Sequence, residues 1–236
     1  MHVALASESD DRAFVPEPFT PFYQRSLYQT YRRAAILALQ ALRQQVPRLP
    51  ADVRPDAERL IGLEEQLLDR FSFLLGPLIR VVRMRQHGDL HLRQVLYTSG
   101  DFYFIDVEGE PTRPLSERRL KRSALRDVAG MLRSFEYAAQ HGLIKEQERA
   151  GRPGDVPKLE PWARYWSIWA SAAFLRGYLS TAADAPFVPR NSENLHQLLQ
   201  ANLLEKALYE LDDELNNRPE WIGLRLRGIL WLLGES

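Results

Sequence analysis

Apolar residues recur every three to four positions along most of the chain, which is the spacing of helices that bury one face. Thr20 followed by Pro21 predicts a capped helix start, and the periodic run continues until Pro47. A second helix is predicted to follow the linker at 50–55 and to end at Gly76. The first third of the chain is therefore predicted to consist of two long helices.

The hydrophobic period changes between residues 80 and 110. Two β-rich runs at 95–98 and 102–107 flank the sequence Ser-Gly-Asp at 99–101, which is a signal for a hairpin turn. Because a hairpin returns the chain to its starting end, the segments before and after it are expected to converge. We therefore predict one small β-hairpin inside a mainly α-helical chain.

The remainder of the chain predicts four more helices. Ser123 is the predicted cap of a helix that reaches about residue 140, and the charged, Gly- and Pro-containing segment 145–160 predicts a solvent loop. Pro161 then opens an aromatic helix, and two further helices end near residues 217 and 234. This helix carries Trp162, Trp166 and Trp169 at helical spacing. Tryptophans in this pattern are more typical of a core than of a sugar-stacking surface, so we expect them to be buried.

Composition narrows the class of protein. The 31 Lys+Arg residues balance 31 Asp+Glu residues, which argues against a nucleic-acid binder, because phosphate contacts demand a basic surplus. The absence of cysteine excludes disulfides, zinc–thiolate sites and a cysteine nucleophile. No apolar stretch has the length of a membrane span, and the first residues lack the basic region of a signal peptide. We therefore expect a cytoplasmic globular chain without a nucleic-acid or membrane partner.

Acidic residues bracket the predicted hairpin. Asp89 lies just before the first strand and Asp106 at the end of the second, while Gln94 lies between them. Two carboxylates and an amide that converge there could hold Mg²⁺ and accept a proton from an alcohol. Phosphoryl transfer needs such a base and such metal ligands, so this segment is the candidate site.

Other interpretations of these residues stay open. A single His-x-Asp is common in proteins, and Asp106 could simply cap the end of a strand. The alternation His87-x-Asp89-x-His91 is also compatible with a transition-metal site of a hydrolase. The remaining histidines do not form a cluster in the sequence, which argues against a closed histidine-rich site; they are His2, His141 and His196.

Three sequence blocks resemble the signature blocks of maltokinases. They read HGDLHLRQ at 87–94, IDVEGEP at 105–111 and LRDVAGMLRSF at 125–135. Maltokinases belong to the aminoglycoside-phosphotransferase/protein-kinase-like superfamily and are often fused to trehalose synthase. The likeness also includes segments near both ends of the chain, at 2–7, 22–28 and 205–221, so it covers essentially the whole chain.

The resemblance implies a fold and an activity. Residues 1–236 would form a single helical C-terminal lobe of a protein-kinase-like fold, with leading helices at 1–80, the catalytic loop and hairpin at 81–112, and a helical sugar-binding part at 113–236. The reaction would transfer the γ-phosphate of ATP to maltose and yield maltose 1-phosphate, with ATP as donor and Mg²⁺ as cofactor. In this family the reaction serves carbohydrate metabolism and glycogen biosynthesis.

The resemblance also implies roles for individual residues. Asp89 would be the catalytic base, His87 would brace the catalytic loop, and Asp127 would support that loop from beneath. The implied Mg²⁺ ligands are Gln94, Asp106 and Glu108. Lys206 and Tyr209, which are three positions apart and so share one helix face, would grip the disaccharide.

Two departures from the family pattern affect the expected activity. Arg93 stands where the family has glycine, so it would either strain the loop or place a cation beside the metal. The resemblance implies that the family's nucleotide-binding N-terminal lobe has no counterpart in residues 1–236, and no lysine precedes Lys121 in them. The basic run at 118–122 is typical of a solvated surface, although it could also lean toward phosphate.

Two interpretations follow from these departures. In the first, the chain is a kinase lobe that phosphorylates maltose poorly by itself and needs its missing N-terminal lobe. In the second, it is a non-catalytic module that retains sugar binding or docks onto trehalose synthase. In either case we expect part of the hairpin and of the first long helix to be exposed and apolar, and we expect self-association.

Overall fold

The computed structural model describes residues 1–7, 9–150, 156–182, 184–217 and 221–235. This part of the chain is mainly helical with two short pairs of strands, as the sequence predicts. The helices are α1 (His2–Leu5), α2 (Pro21–Gln45), α3 (Arg54–Gly62), α4 (Glu64–Asp69), α5 (Leu115–Arg118), α6 (Leu125–Ala150), α7 (Val156–Ala182), α8 (Ser192–Asn217) and α9 (Ile222–Leu233). The strands are β1 (Glu17–Pro18), β2 (Val82–Arg83), β3 (Val95–Thr98) and β4 (Asp101–Phe104), and short 3₁₀ turns occur at Val46–Arg48, Ser72–Leu75 and Leu92–Gln94.

The chain divides into two compact units. The first unit comprises Met1–Glu17 and Val81–Arg190, and the second comprises Pro18–Arg80 and Asn191–Ser236. The first unit therefore contains the hairpin and the acidic residues that bracket it. The organisation of residues 1–236 as one kinase-like lobe stays a prediction.

The start of α2 in the second unit follows the predicted capping. The Thr20 hydroxyl accepts a hydrogen bond from the Tyr23 amide at 3.1 Å, and Pro21 occupies the first turn. Gln24 is buried, and its side-chain amide donates to the carbonyl of Leu74 at 3.1 Å. The start of α2 is thus held by a side-chain cap and by a buried side-chain hydrogen bond.

The second predicted helix is interrupted in the structure. α3 ends at Gly62, α4 ends at Asp69, and a 3₁₀ turn precedes Gly76, whereas the sequence pattern predicts one continuous helix. The break lies at Leu63, which caps both helices with φ −93° and ψ 15°. An apolar residue at a break keeps the hydrophobic period intact, so the period alone does not reveal the interruption.

The predicted loop at 145–160 is wrong over most of its length. α6 continues to Ala150 and α7 begins at Val156, while residues 151–155 lie outside the described part. The sequence from Lys145 to Ala150 contains only residues of good helix propensity, and this propensity extends the helix without an apolar face. Pro161 lies inside α7 rather than at its start.

The expectation that the α7 tryptophans belong to a core is wrong. Trp162 is 70% exposed, Trp166 49% and Trp169 54%. Their spacing puts all three on one face of α7, as predicted, but that face is not covered in the described part of the chain. Helical spacing identifies a shared face without showing whether the face is buried.

The hairpin forms with a two-residue turn. Val95 pairs with Phe104 and Thr98 with Asp101, and the turn residues Ser99 and Gly100 have φ values of 52° and 86°. Positive φ at both positions matches the twist of a tight hairpin. The second strand ends three residues earlier than predicted. As expected, apolar hairpin side chains are exposed, and so is Phe22 at the start of α2; the hairpin set is Leu96, Tyr97, Phe102, Tyr103 and Phe104.

No helix among the described residues has the length and apolar character that crossing a bilayer requires.

Candidate active site

The segment that leads to Asp89 is held by backbone pairing within the first unit. The Met84 amide donates to the carbonyl of Arg122 at 2.9 Å, and the Arg122 amide donates back to Met84 at 3.0 Å. This antiparallel bridge places the chain immediately before α6 beside the chain immediately before His87. The candidate catalytic loop and the start of α6 are therefore anchored to one another.

Asp127 on α6 binds the backbone of the candidate catalytic loop. Its Oδ2 accepts a hydrogen bond from the His87 amide at 2.8 Å, and its Oδ1 accepts one from the Gly88 amide at 2.9 Å. The Asp127 side chain is almost fully buried, and these hydrogen bonds offset the cost of burying a carboxylate. Gly88 has φ 86°, a backbone conformation that side-chain-bearing residues rarely adopt.

One face of α6 forms the floor under this loop. Gly130 lies one turn after Asp127, and a Cβ atom there would stand 2.4 Å from the Leu90 carbonyl oxygen. Ser134 follows one turn later, and its Oγ accepts a hydrogen bond from the Leu92 amide at 3.1 Å. Residues 127, 130 and 134 follow the helical repeat and so share one face of α6. Along this face the Asp127 carboxylate, the Gly130 backbone and the Ser134 hydroxyl contact successive parts of the loop.

His87 connects the segments that carry the two acids. Its ring is buried, its Nε2 donates to the Ile105 carbonyl at 2.8 Å, and its Nδ1 lies 3.4 Å from the Asp89 amide. Because a carbonyl oxygen only accepts, the proton lies on Nε2, and Nδ1 is left as the acceptor. The imidazole thus links the residue before Asp106 to the amide of Asp89.

Further backbone contacts bring these segments together. A Cβ atom on Gly88 would lie 3.2 Å from the Cα of Gly109, so the catalytic loop lies directly against the turn that follows Asp106. The Ile105 amide donates to the Gln94 carbonyl at 3.1 Å, which places Gln94 beside the same segment. The structure therefore brings together the backbone segments of Asp89, Gln94 and Asp106.

The two acids differ in their surroundings. The Asp89 side chain is 12% exposed, and its Oδ2 lies 3.5 Å from Nε2 of His91. Asp106 is exposed and has φ 57°, in the left-handed region that aspartate tolerates better than most residues. Glu108 is also exposed, in the turn after Asp106. A mostly buried carboxylate thus lies in the loop that faces an exposed acidic turn.

A magnesium ion suits this set of side chains without requiring a closed cage. Within the described ranges, no group of three or more His, Asp or Glu side chains is arranged to hold a metal. Mg²⁺ in phosphoryl-transfer sites is commonly bound by one or two carboxylates together with phosphate oxygens. The hard oxygen donors of Gln94, Asp106 and Glu108 fit such partial ligation.

The structure adds two residues that the sequence analysis gave no role. His2 Nε2 donates to Oδ2 of Asp127 at 2.9 Å, and the Tyr178 hydroxyl lies 3.0 Å from Nδ1 of His2. Burial, and then the charge of Asp127, raise the pKa of Tyr178 well above its usual range, so the phenol stays protonated and its O–H donates a hydrogen bond to Nδ1 of His2. A contact between residues 125 positions apart leaves no local sequence signal.

Three further residues singled out in the sequence are Lys206, Tyr209 and Arg93. Lys206 and Tyr209 belong to α8 in the second unit, where the Lys206 Nζ lies 5.3 Å from the centre of the Tyr209 ring. Their proposed contact with sugar stays a prediction. Arg93 is exposed in a 3₁₀ turn and is not among the positive-φ residues of the described chain. The strained backbone considered for Arg93 is therefore not found.

Comparisons with known proteins place this geometry in context. The chain is 34% identical over 185 residues to a glucosamine kinase of Mycolicibacterium smegmatis, a match that covers 78% of the chain and 40% of that protein. It is 28% identical over 133 residues to a glucosamine kinase of Streptacidiphilus jiangxiensis, covering 54% of the chain and 27% of that protein. No protein-family model matches the chain.

Solved structures agree on the fold. A glucosamine kinase in complex with glucosamine, ADP and inorganic phosphate superposes with a TM-score of 0.73 at 22% identity, over 99% of this chain and 51% of that one. A second crystal form of glucosamine kinase gives a TM-score of 0.74, over 99% of this chain and 49% of that one. The chain is therefore similar in sequence and in fold to glucosamine kinases. It spans about half of the solved sugar kinases and less than half of the curated ones.

Proposed function

We propose that this chain carries the sugar-phosphorylating centre of a kinase that transfers the γ-phosphate of ATP to a sugar hydroxyl. The observation that carries the proposal is the joining of the two acid-bearing segments by the buried His87, which bonds the carbonyl before Asp106 and the amide of Asp89. The relationship to glucosamine kinases supports the same reaction class.

Asp89 is the proposed general base. Its carboxylate is mostly shielded from solvent yet lies in a loop whose backbone is fixed by Asp127, so it can accept a proton from a hydroxyl at a defined position. Because Asp127 and His87 position that loop without an assigned contact to substrate, they are positioning residues. The fixed loop supplies orientation, which is a main contribution of kinases to phosphoryl transfer.

Gln94, Asp106 and Glu108 are the proposed holders of Mg²⁺. When bound, the ion would neutralise charge on the transferred phosphate. We further propose that phosphate transfer by the 236-residue chain alone is slow. The resemblance assigns the phosphate-pairing lysine to a preceding lobe, and no lysine precedes Lys121 in this chain.

The proposed acceptor is a small sugar, either glucosamine or maltose. The named activity of the sequence relatives favours glucosamine, whereas the sequence blocks at 87–94, 105–111 and 125–135 resemble those of maltokinases and favour maltose. Lys206 and Tyr209 remain proposed sugar contacts, and alanine at either position is expected to weaken sugar binding.

Calorimetry and turnover test the proposal together. We expect one sugar to bind the chain in calorimetry, and we expect slow ADP release from Mg-ATP that depends on that sugar. Asp89→Asn should lower the release by about 10²-fold or more while sugar binding persists, because only the proton acceptor is lost. Release that is unchanged in Asp89→Asn, or an absence of binding to both sugars, would refute the proposal.

A non-catalytic role is the second candidate. The hairpin exposes apolar side chains, which favours contact with another protein surface. Because maltokinases are often fused to trehalose synthase, trehalose synthase is the proposed partner. Sugar binding without any ADP release, together with co-sedimentation with trehalose synthase, would support this alternative over the kinase.

A further inference from the structure

A strongly basic cavity lies within the first unit, apart from the residues assigned to catalysis. It has a volume of about 670 Å³ and is bordered by three separate segments, at 12–17, 83–85 and 119–121. Its charged lining residues are Arg12, Glu17, Arg83, Arg85, Arg119 and Lys121. Five cations and one carboxylate give this lining a formal charge of +4 in a chain whose total formal charge is zero.

The single carboxylate holds two of these cations in place. Glu17 accepts a hydrogen bond from the Lys121 ammonium at 2.7 Å and forms an ion pair with Arg83 at 2.6 Å. The hydrogen bond from Lys121 is the main cause of the lowered pKa of Glu17. Lys121 is only 10% exposed and also donates to the Arg12 carbonyl at 2.7 Å, so it joins two walls of the cavity.

The Arg85 guanidinium is oriented by a carbonyl and an aromatic ring. Arg85 donates to the Arg119 carbonyl at 3.2 Å, and its guanidinium lies 5.7 Å from the centre of the Phe14 ring. Within the described ranges, no carboxylate forms an ion pair with Arg12, Arg85 or Arg119. A guanidinium held by one carbonyl and one ring keeps further N–H donors for a ligand.

Like charges collected around one cavity repel one another, and an anion with several charges would offset that repulsion. The planar guanidinium fork matches phosphate oxygens in particular. The volume falls within the range of small-molecule sites. The basic run at 118–122, ambiguous in the sequence, thus contributes two of its members to a cavity whose other cations come from distant segments.

We propose that this basic cavity is a second binding site that takes a small ligand with two or more phosphate charges, such as a condensed phosphate or a phosphorylated sugar. The proposal does not depend on the kinase activity. Arg85 precedes His87 by two residues, and Met84 pairs with Arg122 beside Lys121, so the cavity and the candidate catalytic loop share one chain segment.

Calorimetry with inorganic pyrophosphate at low salt tests the site. The titrations contain EDTA, so that metal-dependent binding at the candidate active site does not contribute. We expect saturable binding that Arg85→Ala and Arg119→Ala each weaken by about tenfold or more, because each removes a charge-assisted contact. Arg190→Ala is the matched control, since Arg190 is an exposed arginine of the same unit outside the cavity, and it should bind like the wild-type chain.

Further measurements distinguish this site from the proposed active site and identify the class of ligand. Asp106→Asn should retain pyrophosphate binding even if all sugar-dependent ADP release is lost. Tighter binding of glucose 6-phosphate than of pyrophosphate would indicate a phosphorylated sugar, and the reverse order a condensed phosphate. If either arginine variant does not fold, Arg12→Ala takes its place. Absence of pyrophosphate binding, or equal binding by the cavity variants and Arg190→Ala, would overturn the proposal.

Discussion

The three hydrogen bonds to the buried Asp127 carboxylate allow a quantitative prediction for Asp127→Asn. The substitution keeps the shape of the side chain but replaces one oxygen with an NH₂ group and removes the charge. Oδ2 accepts from His2 and from the His87 amide, while Oδ1 accepts from the Gly88 amide. The asparagine carbonyl is best placed at Oδ2, where it keeps two bonds, and the NH₂ group then faces the Gly88 N–H.

The expected loss of stability follows from these bonds. A buried N–H without an acceptor costs about 1–3 kcal/mol, and each of the two retained bonds loses about 1 kcal/mol when its acceptor becomes neutral. Together these effects amount to about 3–5 kcal/mol in the free energy of unfolding. For a chain of this size, about 2–4 °C in Tm corresponds to each kcal/mol, so the Tm should fall by about 6–20 °C.

Differential scanning calorimetry measures this change, with Asp184→Asn as the matched control because Asp184 is an exposed aspartate of the same unit. Amide hydrogen exchange at His87 and Gly88 should also accelerate in Asp127→Asn and stay unchanged in the control. A Tm within about 2 °C of the wild-type value, with unchanged exchange at both amides, would show that Asp127 does not hold the loop.

Three further predictions concern packing and pH. Gly130→Ala should lower the free energy of unfolding by about 1–3 kcal/mol, because its Cβ would lie 2.4 Å from a backbone carbonyl oxygen of the candidate catalytic loop. Gly142→Ala on the same helix is the control: its Cβ would meet nothing within 4 Å, so urea unfolding should show it to be neutral or slightly stabilising. The raised pKa of Tyr178 contributes stability that is complete below the ordinary tyrosine value of about 10 and is lost at higher pH, so Tm measured from pH 8 to 11 should fall less steeply in Tyr178→Phe. The pKa of Glu17 is lowered, first by its hydrogen bond from Lys121, so the ionised Glu17 stabilises the fold above the ordinary carboxyl range, and this stability is lost as the pH falls through the lowered pKa. Because Glu17 is partly exposed, Glu17→Gln should lower the free energy of unfolding by only about 0.2–1 kcal/mol at pH 7. The same variant should flatten the acid side of the Tm profile.

Local sequence signals predicted the parts of the fold that depend on local physics. The Thr20 cap needs only its own hydroxyl and the amide three residues later, and the hairpin turn needs two residues that tolerate positive φ. The loop predicted at 145–160 was too long, because glycine and proline at 151–157 suggested a break that the helix-forming residues on both sides do not share. The local backbone conformation was therefore predictable wherever a few neighbouring residues determine it.

Features that depend on distant partners could not be predicted in this way. Nothing near His2 indicates that its ring bonds Asp127, and nothing near Trp162 indicates whether another element covers its face. The basic cavity likewise gathers three segments that are far apart in sequence, so only one of them was visible as a charged run. Chemistry-bearing residue types could be chosen from the sequence, but their mutual contacts required the fold.

Asp106 combines a backbone requirement with a chemical one, and substitution can separate the two. Both backbone groups of the preceding Ile105 are occupied, since its amide donates to Gln94 and its carbonyl accepts from His87. Asp106 follows directly with a φ of 57°, in the left-handed region. Asparagine tolerates this left-handed conformation as aspartate does, whereas alanine costs about 1–2 kcal/mol.

Asp106→Asn should therefore keep the wild-type Tm within about 1–2 °C while it abolishes Mg²⁺-dependent, sugar-stimulated ADP release. Asp106→Ala should lose that release and also unfold at a Tm lower by several degrees, because alanine carries the additional backbone strain. Thermal unfolding of both variants beside turnover assays separates the two effects. Equal Tm values for Asp106→Asn and Asp106→Ala would mean that the left-handed turn imposes no cost, and the need for aspartate at this position would then rest on its charge alone.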